Sequence, residues 1–214
     1  MHQIVAELRK RCQCGGCGAA GQFSAVHGIM QERNGRDSTM EYHEVYRRDG
    51  TATGKVVEKH APRERGQYFL HAILVMKTEN SPDPGKGEGM YIMQQRSLKA
   101  RFYPGKWDVT GGGVQAGETP GAAAVREAYE ELGVSVKEAD LKVYHQYYAD
   151  WDDGTGLIIT VFACRASIPA GGFRLSRAEV NDVQIAPFHL FRNHVMDHND
   201  EAFGRALDRI EAEV

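Results

Sequence analysis

The sequence predicts a mixed α/β fold, a sandwich in which helices cover a mixed β-sheet. Two observations carry this prediction. Short apolar strand candidates, separated by turn residues, recur over most of the chain, and one strongly helical segment lies among them with a second at the C-terminal end. Such elements bury their apolar faces when they pack in layers. The 214 residues, 42% of them apolar, suffice for one domain of this kind with an appended segment.

The strand candidates begin after residue 40. Residues 42–46 and 55–58 flank Asp49-Gly50, a turn signal, and so predict an N-terminal β-hairpin. Further strands are expected, in chain order, at residues 68–77, 90–94, 106–110, 141–148 and 157–165. Residues 81–89, rich in Pro and Gly, predict an exposed loop. The helical spacing of residues 187–214 predicts a terminal helix.

Composition excludes several classes of function. The formal net charge of −3 gives no reason to expect a nucleic-acid polymer or an anionic membrane as partner. No apolar run approaches the roughly 18 residues that span a bilayer, and the N-terminus has no apolar stretch typical of a secretory signal. Four cysteines, three of them crowded together, do not form the pattern of a secreted disulfide framework. We therefore expect a cytoplasmic protein.

Residues 1–39 differ from the rest of the chain, since they mix small residues, Gly and scattered charges with little periodicity. We interpret them as a disordered N-terminal extension of a folded domain at residues 40–214. A structural zinc site is the alternative for this segment. Its candidate ligands are Cys12, Cys14 and Cys17, with His2 or His27 as the fourth. A thiol-bearing tail is the favoured interpretation.

The central helical segment carries clear boundary signals. Thr119 can cap its N-terminus, Pro120 suits the first turn, and Gly133 provides a left-handed residue at the end. Its spacing also predicts an apolar stripe that faces the core, formed by Val125, Ala128 and Leu132.

Three glutamates follow one another on a neighbouring face of the same helix. Glu127, Glu130 and Glu131 lie at positions i, i+3 and i+4, and no Lys or Arg follows at i+3 or i+4 to balance them. Carboxylates so close together repel one another unless a cation lies in front of them. Hard divalent cations such as Mg²⁺ favour carboxylate oxygens together with substrate phosphates. A preceding glycine turn, residues 111–113, would let the backbone approach the same ion.

The residues of this region resemble the signature of the Nudix family, the Nudix box. The matching positions are Gly112, Glu118, Arg126, Glu127, Ala128, Glu130, Glu131, Leu132, Gly133 and Val134, at the spacings that the signature requires. The surrounding strand pattern, from about residue 40 to residue 185, is also similar to the family's α/β/α sandwich with a mixed sheet. Residues 1–39 have no counterpart in that pattern.

The resemblance implies a role for each residue of the box. Glu127, Glu130 and Glu131 would ligate Mg²⁺ or Mn²⁺, and a carbonyl of Gly111 or Gly112 would add a ligand. The side chains of Glu118 and Arg126 would hold the loop and the glutamates in place, which agrees with the general behaviour of an Arg beside carboxylates.

The proton acceptor varies within the family. Inside the box, Glu130 is the candidate for the general base. Further along the chain, Glu179 and Asp182 stand where relatives often place an extra acid; the alternative is a polar loop ahead of a strand.

The resemblance implies an enzyme, a hydrolase that cleaves a diphosphate linkage by attack of water on phosphorus. The expected partner is a small molecule, a nucleoside diphosphate linked to another moiety. Family resemblance also allows a homodimer.

Two alternatives remain. The hairpin and the segment 96–108 resemble isopentenyl diphosphate isomerase, but that enzyme needs a cysteine near its box, where this chain has Thr110 and glycines. The nearest core cysteine, Cys164, is expected to be a buried apolar residue. The second alternative is a catalytically silent ligand-binding module. Such proteins typically lose box carboxylates, whereas this chain retains them.

Residues outside the box offer weaker signals for the substrate. Several aromatic residues near loops could stack on a nucleobase, although rim packing is the commoner role: Phe102, Tyr103, Tyr147, Tyr148 and Trp151. Arg96 and Lys99 could meet a terminal phosphate, although exposed cations there need no function. His194 and His198 lie four residues apart, and we interpret them as a solvated helix surface.

Overall fold

A computed structural model describes residues 40–79 and 89–214. The predicted disordered extension, its alternative zinc site and nearly all of the predicted loop at residues 81–89 lie outside the described residues. None of the helices in the described ranges combines the length and the apolar character needed to cross a bilayer.

One mixed β-sheet organises the described part of the chain, which contains nine strands. These are β1 (Tyr42–Tyr46), β2 (Ala52–Glu58), β3 (Tyr68–Thr78), β4 (Met90–Arg96), β5 (Trp107–Asp108), β6 (Thr110–Gly113), β7 (Lys142–Asp150), β8 (Gly156–Ala166) and β9 (Val180–Pro187). The central strand β3 pairs in parallel with β8 along its whole length. It pairs antiparallel with β1 at its beginning, with β6 in its middle and with β4 towards its end. Strand β9 pairs with β4, and β7 pairs with β8.

Three α-helices cover the two faces of this sheet: α1 (Pro120–Leu132), α2 (Phe188–Val195) and α3 (Glu201–Glu213). Alternate residues of β3 face opposite layers, as the two-residue period of a strand requires. Leu74 and Met76 pack with Ala128 and Leu132 of α1. On the other face, Val75 belongs to the core that contains buried residues of α2 and α3. The predicted α/β/α sandwich is therefore confirmed.

The N-terminal hairpin is also confirmed. Strands β1 and β2 pair antiparallel, and the amide of Gly50 donates a 2.9 Å hydrogen bond to the carbonyl oxygen of Arg47 across the turn. Gly50 has a φ of 84°, a left-handed conformation that glycine adopts readily. Strand β2 begins three residues earlier than predicted, because Ala52 pairs with Tyr46 directly after the turn.

The expectation of a glycine turn after a single strand at residues 106–110 is wrong. The chain forms two strands, β5 and β6, and the glycines lie in β6, where Gly112 pairs with Ala72 of β3. Close approach explains why glycine is needed there: a Cβ on Gly111 would lie 2.5 Å from the carbonyl oxygen of Ala72. Glycine in a strand can mark such a contact as well as a turn.

The expectation of one terminal helix is also wrong, since the tail forms α2 and α3 with a break at residues 196–200. Asp200 begins α3, and its Oδ1 accepts a 2.8 Å hydrogen bond from the amide of Phe203. An aspartate at this position satisfies an amide that has no partner within the helix. The break lets both helices lie against the same face of the sheet.

Candidate active site

Helix α1 has the boundaries that the sequence predicts. The hydroxyl of Thr119 accepts a 3.0 Å hydrogen bond from the amide of Ala122, Pro120 is the first helical residue, and Gly133 closes the helix at a φ of 72°. Of the predicted apolar stripe, Ala128 and Leu132 are fully buried, whereas Val125 is only partly buried. The buried face instead includes Glu131, so a carboxylate enters the interior on this helix.

Arg126 lies at the centre of a hydrogen-bond network. Its Nε and Nη2 donate to the two carboxylate oxygens of Glu118, at 2.8 and 3.1 Å, and Nη2 also donates to the carbonyl oxygen of Gly113 at 2.9 Å. Nη1 donates to Glu127 at 2.7 Å and to Glu130 at 3.0 Å. Burial lowers the pKa of Arg126, but the hydrogen bond that it donates to Glu118 and the charge of Glu127 outweigh burial and leave that pKa raised. Arg126 therefore stays charged and fixes two box glutamates.

Glu127 lies against the glycine strand. A Cβ on Gly112 would be 1.9 Å from Oε1 of Glu127, so only glycine leaves room for this carboxylate. Burial raises the pKa of Glu127, Arg126 partly opposes the shift, and the charges of Glu179 and Glu130 raise it further. The carboxylate is thus held between a cation and other carboxylates.

Glu131 is 6% exposed and points towards the sheet. Its Oε2 accepts hydrogen bonds from the hydroxyl of Thr110 at 2.6 Å, the side-chain amide of Gln94 at 2.9 Å and the amide of Gly111 at 3.3 Å. Burial raises the pKa of Glu131 to about 8, even though two of these donors lower it. Gln94 and Thr110 carry no sequence signal for this contact, since only the pairing of β4 with β5 and of β6 with β3 brings them beneath the helix.

The two candidates for an extra acid, Glu179 and Asp182, have different environments in the structure. Glu179 precedes β9, and its charge raises the pKa of both Glu127 and Glu131, so it belongs to the same electrostatic group. Its backbone carbonyl accepts a 2.7 Å hydrogen bond from the amide of Ser97. Asp182 lies within β9 and not in a loop, and its exposed carboxylate accepts a 2.8 Å hydrogen bond from the amide of Val183. Glu130 is half-exposed beside Arg126.

Protein donors bind each of these carboxylates: Arg126 binds Glu127 and Glu130, while Thr110 and Gln94 bind Glu131. Within residues 40–79 and 89–214, no three acidic, His or Cys side chains have the arrangement of a metal-ligand set. The donor chemistry nevertheless fits a hard divalent cation. The carboxylates of Glu127 and Glu131, whose pKa values are raised by burial and by the charges of neighbouring glutamates, are stabilised by such a cation, and carboxylate oxygens are its preferred ligands.

Other residues singled out in the sequence have different roles. Arg96 is engaged within the protein: its Nη1 lies 3.5 Å from Oδ2 of Asp108, and its Nε donates to the carbonyl oxygen of Phe102 at 3.0 Å. Cys164 is buried, which confirms that prediction, and burial raises the pKa of its thiol to about 12. The interpretation of His198 as solvated helix surface is wrong. It lies between α2 and α3, and its side chain is 5% exposed.

The aromatic candidates for stacking pack against protein side chains, mostly cations. The guanidinium carbon of Arg63 lies 4.6 Å from the ring centre of Trp151, and that of Arg48 lies 4.8 Å from the ring centre of Tyr148. The ring of Tyr103 packs on His198. These contacts are typical of aromatic residues at the rim of a sheet.

These features define a class of protein: an α/β/α sandwich in which a glutamate-rich helix, braced by an arginine, lies beside a glycine strand. The model of the NUDIX domain family matches residues 71–206, and the chain therefore belongs to the Nudix family.

Comparisons with individual proteins agree with this assignment. An uncharacterised Nudix hydrolase of Pseudomonas aeruginosa is 35% identical over 97 residues, which are 45% of this chain and 54% of that protein. The match thus spans about half the length of that relative. A solved structure from Deinococcus radiodurans has a TM-score of 0.57 at 16% identity, over 79% of this chain and 99% of that one. The Nudix domain of Shewanella oneidensis NrtR, complexed with ADP ribose, has a TM-score of 0.51 at 15% identity. The match covers 71% of this chain and 90% of that one. At these identities the two structures show the fold alone.

Proposed function

We propose that the chain is a metal-dependent hydrolase that cleaves the diphosphate linkage of a nucleoside diphosphate joined to another moiety, with Mg²⁺ or Mn²⁺ as cofactor. The observation that carries the proposal is the electrostatic group of Glu127, Glu131 and Glu179. Burial and repulsion within the group raise the pKa of Glu127 and Glu131. The positive charge of Arg126 does not balance this group alone, because Arg126 also binds Glu118. Such a group is stabilised when a divalent cation binds.

The chain's own residues would divide the work as follows. Glu127, Glu131 and Glu130 hold the cation, and a carbonyl of Gly111 or Gly112 adds an oxygen, since that of Gly113 already accepts from Arg126. Arg126 and Glu118 are positioning residues. The bound cation neutralises the diphosphate and lowers the pKa of water, which favours attack at phosphorus. Glycine at position 112 keeps Glu127 next to the strand.

A carboxylate must also accept the proton of the attacking water. Glu130 is our candidate, because its half-exposed side chain can reach solvent while Arg126 orients it. Glu179 is the alternative, since its charge already influences Glu127 and Glu131. Loss of a general base lowers kcat by about 100- to 10,000-fold. Comparison of kcat for Glu130→Gln and Glu179→Gln at saturating metal would therefore identify the base. Asp182→Asn tests in the same way whether Asp182 is the base.

The nucleotide part of the proposal rests on family membership and on the ADP ribose in the Nudix domain of Shewanella oneidensis NrtR. The relative from Pseudomonas aeruginosa is named a Nudix hydrolase. A homodimer and a cytoplasmic location stay predictions. The isomerase alternative gains no support from the described residues, because Cys164 is buried in β8 with a pKa raised to about 12 by burial.

The deciding experiment incubates the chain and Mg²⁺ with nucleoside triphosphates, nucleotide sugars, dinucleoside polyphosphates and isopentenyl diphosphate, and resolves the products by chromatography. Glu127→Gln is the test variant, and Glu201→Gln, whose side chain is 96% exposed on α3, is the matched control. We expect metal-dependent cleavage that Glu127→Gln abolishes and the control retains. Isomerisation of isopentenyl diphosphate would contradict the proposal. A folded, metal-binding chain without turnover would favour a ligand-binding module.

A further inference from the structure

The carboxylate of Glu131 is bound by the protein at only one of its two oxygens. Oε2 accepts hydrogen bonds from the hydroxyl of Thr110, the side-chain amide of Gln94 and the backbone amide of Gly111. No residue in the described ranges donates to Oε1, and Oε1 is not among the partnerless side-chain atoms that are sealed from solvent. This buried carboxylate therefore keeps one oxygen that is both unbound and accessible.

The side-chain donors to Oε2 belong to the sheet and are themselves buried. Gln94 and Thr110 are each 2% exposed. Gln94 lies between Val183 of β9 and Asp108 of β5, and Thr110 pairs with Leu74 of β3. The one proton of the Thr110 hydroxyl goes to the carboxylate, because Oε2 lies 2.6 Å away whereas Oε1 of Gln94 lies 3.4 Å away. Donors on such regular elements are held more precisely than donors on loops.

The main chain of Glu131 is anchored as well. Its carbonyl oxygen accepts a 3.0 Å hydrogen bond from the amide of Ser176, outside helix α1. The carbonyl oxygen of Ser176 in turn accepts a 2.9 Å hydrogen bond from the amide of Glu179. Because both the backbone and the side chain are fixed, Oε2 cannot turn towards an ion without the loss of these bonds.

The other two glutamates of this helix also have one bound oxygen each, but their donor is different. Arg126 donates to Oε1 of Glu127 and to Oε2 of Glu130, and no residue in the described part of the chain donates to their second oxygens. A divalent cation repels the guanidinium of Arg126 and so weakens these two bonds. The donors to Glu131 are neutral, so a cation does not repel them in this way.

The number of available carboxylate oxygens affects the choice of cation. Ca²⁺ takes about six to eight oxygen ligands in a flexible geometry, often with both oxygens of one carboxylate. Mg²⁺ is smaller, requires near-octahedral geometry, and is usually held by one or two carboxylates together with water or phosphate. A carboxylate that offers a single oxygen therefore suits Mg²⁺ and deprives Ca²⁺ of a ligand.

We propose that Gln94 and Thr110 determine the cation selectivity of this site. By binding Oε2, they restrict Glu131 to coordination through Oε1 and so favour Mg²⁺ over Ca²⁺. Both are positioning residues, because they act on the cation only through Glu131. The inference rests on the proposed function in one respect, namely that Glu131 holds the cation.

The test measures cation binding in the absence of substrate. Calorimetry at a single pH gives the dissociation constants of Mg²⁺ and Ca²⁺ for the full chain and its variants. The selectivity is the dissociation constant of Ca²⁺ divided by that of Mg²⁺. A change in the protonation of Glu131 affects the binding of both cations alike, so it leaves this ratio unchanged. We expect the ratio to exceed one in the unmodified chain.

Thr110→Val and Gln94→Met each remove a donor and approximately keep the shape of the side chain. In the double variant Oε2 becomes available to the ion, so we expect the ratio to fall by about 10-fold, within the range of such partners' effects on metal affinity. Each single variant should lower the ratio by a smaller factor. A purely structural contact would instead weaken the binding of both cations equally.

Two further variants serve as controls. Thr110→Ser keeps the hydroxyl and should retain the ratio of the unmodified chain. Thr78→Val is the matched control, because Thr78 is also buried but donates to the carbonyl oxygen of Met90. Urea denaturation in EDTA establishes that each variant is folded, and the single variants decide the question if the double variant does not fold.

Three results would overturn the inference: a ratio of one or less in the unmodified chain, an unchanged ratio in the variants that lack a donor, or an equal fall in Thr78→Val. The outcome is separable from that of the proposed function. Mg²⁺-dependent hydrolysis with an unchanged ratio would contradict only the role of Gln94 and Thr110. Selective binding of Mg²⁺ without hydrolysis would contradict only the enzymatic activity.

Discussion

At the scale of single residues, Arg126 decides how the glutamates of α1 are arranged. One guanidinium contacts Glu118, Glu127 and Glu130, and it also binds the carbonyl oxygen of Gly113 on the glycine strand. Its planar group can satisfy several acceptors in fixed directions, which the point charge of lysine cannot do. Arginine therefore fits this position by its geometry as well as by its charge.

Arg126→Lys tests this requirement. The charge is kept, but the paired contact with Glu118 is lost, so we expect the free energy of unfolding to fall by about 2 kcal/mol. Urea denaturation in EDTA measures the change. Arg205→Lys is the control, because Arg205 lies 3.9 Å from Glu201 in an exposed pair and should change stability by less than about 0.5 kcal/mol. Equal effects of the two substitutions would show that only charge matters at position 126.

Glu131 provides a pH-dependent prediction. Burial raises its pKa from 4.5 to about 8 in the folded chain. Below pH 4.5 the carboxyl group is neutral in both folded and unfolded chains. As pH rises through the interval up to about 8, only the unfolded chain gives up the proton, so stability falls by up to about 1.4 kcal/mol per pH unit.

Glu131→Gln removes this ionisation and keeps the shape of the side chain. In EDTA we expect the variant to gain stability relative to the unmodified chain by a few kcal/mol between about pH 5 and pH 8. Urea denaturation across this pH interval measures the gain. Near pH 8, added Mg²⁺ should restore the stability of the unmodified chain. Glu201→Gln, at an exposed site, is the control. Parallel stability curves for Glu131→Gln and the unmodified chain would contradict the assignment.

At the scale of secondary structure, β6 couples the sheet to α1. Its glycines pair with β3 on one side, while Gly112 makes room for Glu127 of α1 on the other. The strand owes both contacts to the absence of side chains. A sequence of three glycines therefore serves close packing here more than backbone freedom.

Gly112→Ala should displace Glu127, because the new Cβ would lie 1.9 Å from Oε1. Misplacement of a reacting group by about 1 Å can cost about 100-fold in rate, so we expect a loss of that order in kcat/KM for the proposed hydrolysis. Gly171→Ala, where a Cβ would meet nothing within 4 Å, is the control. Normal activity in Gly112→Ala would show that Glu127 does not need its observed position.

At the scale of the whole molecule, the long parallel pairing of β3 with β8 joins the two halves of the described chain. It brings residues about 90 positions apart into register, for example Tyr68 with Gly156. The two main cores lie on opposite faces of the sheet, and their buried members come from residues 72–210.

We therefore expect a chain shortened to residues 40–214 to fold by itself. Its free energy of unfolding and its activity should match those of the full chain, within about 0.5 kcal/mol for the former. Urea denaturation and the hydrolysis assay measure the two quantities. A control that begins at residue 60 would also lack β1 and β2 and should be less stable. Loss of folding in the 40–214 chain would contradict the predicted domain boundary.

Local patterns sufficed for much of the fold. Alternating and apolar runs located β1, β3, β7 and β8 to within a few residues, and cap residues located both ends of α1, because these signals act over a few positions. The exceptions differ in their cause. The glycines of β6 depend on contact with a distant strand, as between Gly111 and Ala72, whereas the break before α3 has a local signal, the cap at Asp200, that the helical spacing of the tail obscured.

The sequence by itself determined the family and the clustering of Arg126 with the three glutamates, since fixed spacing on one helix brings these groups together whatever surrounds them. Only the tertiary structure decided the environment of each group. Gln94 and Thr110 reach Glu131, and Tyr103 reaches His198, through strand pairing and helix packing between segments far apart in the chain. Burial then determines which carboxylate pKa values shift, because desolvation depends on the whole fold.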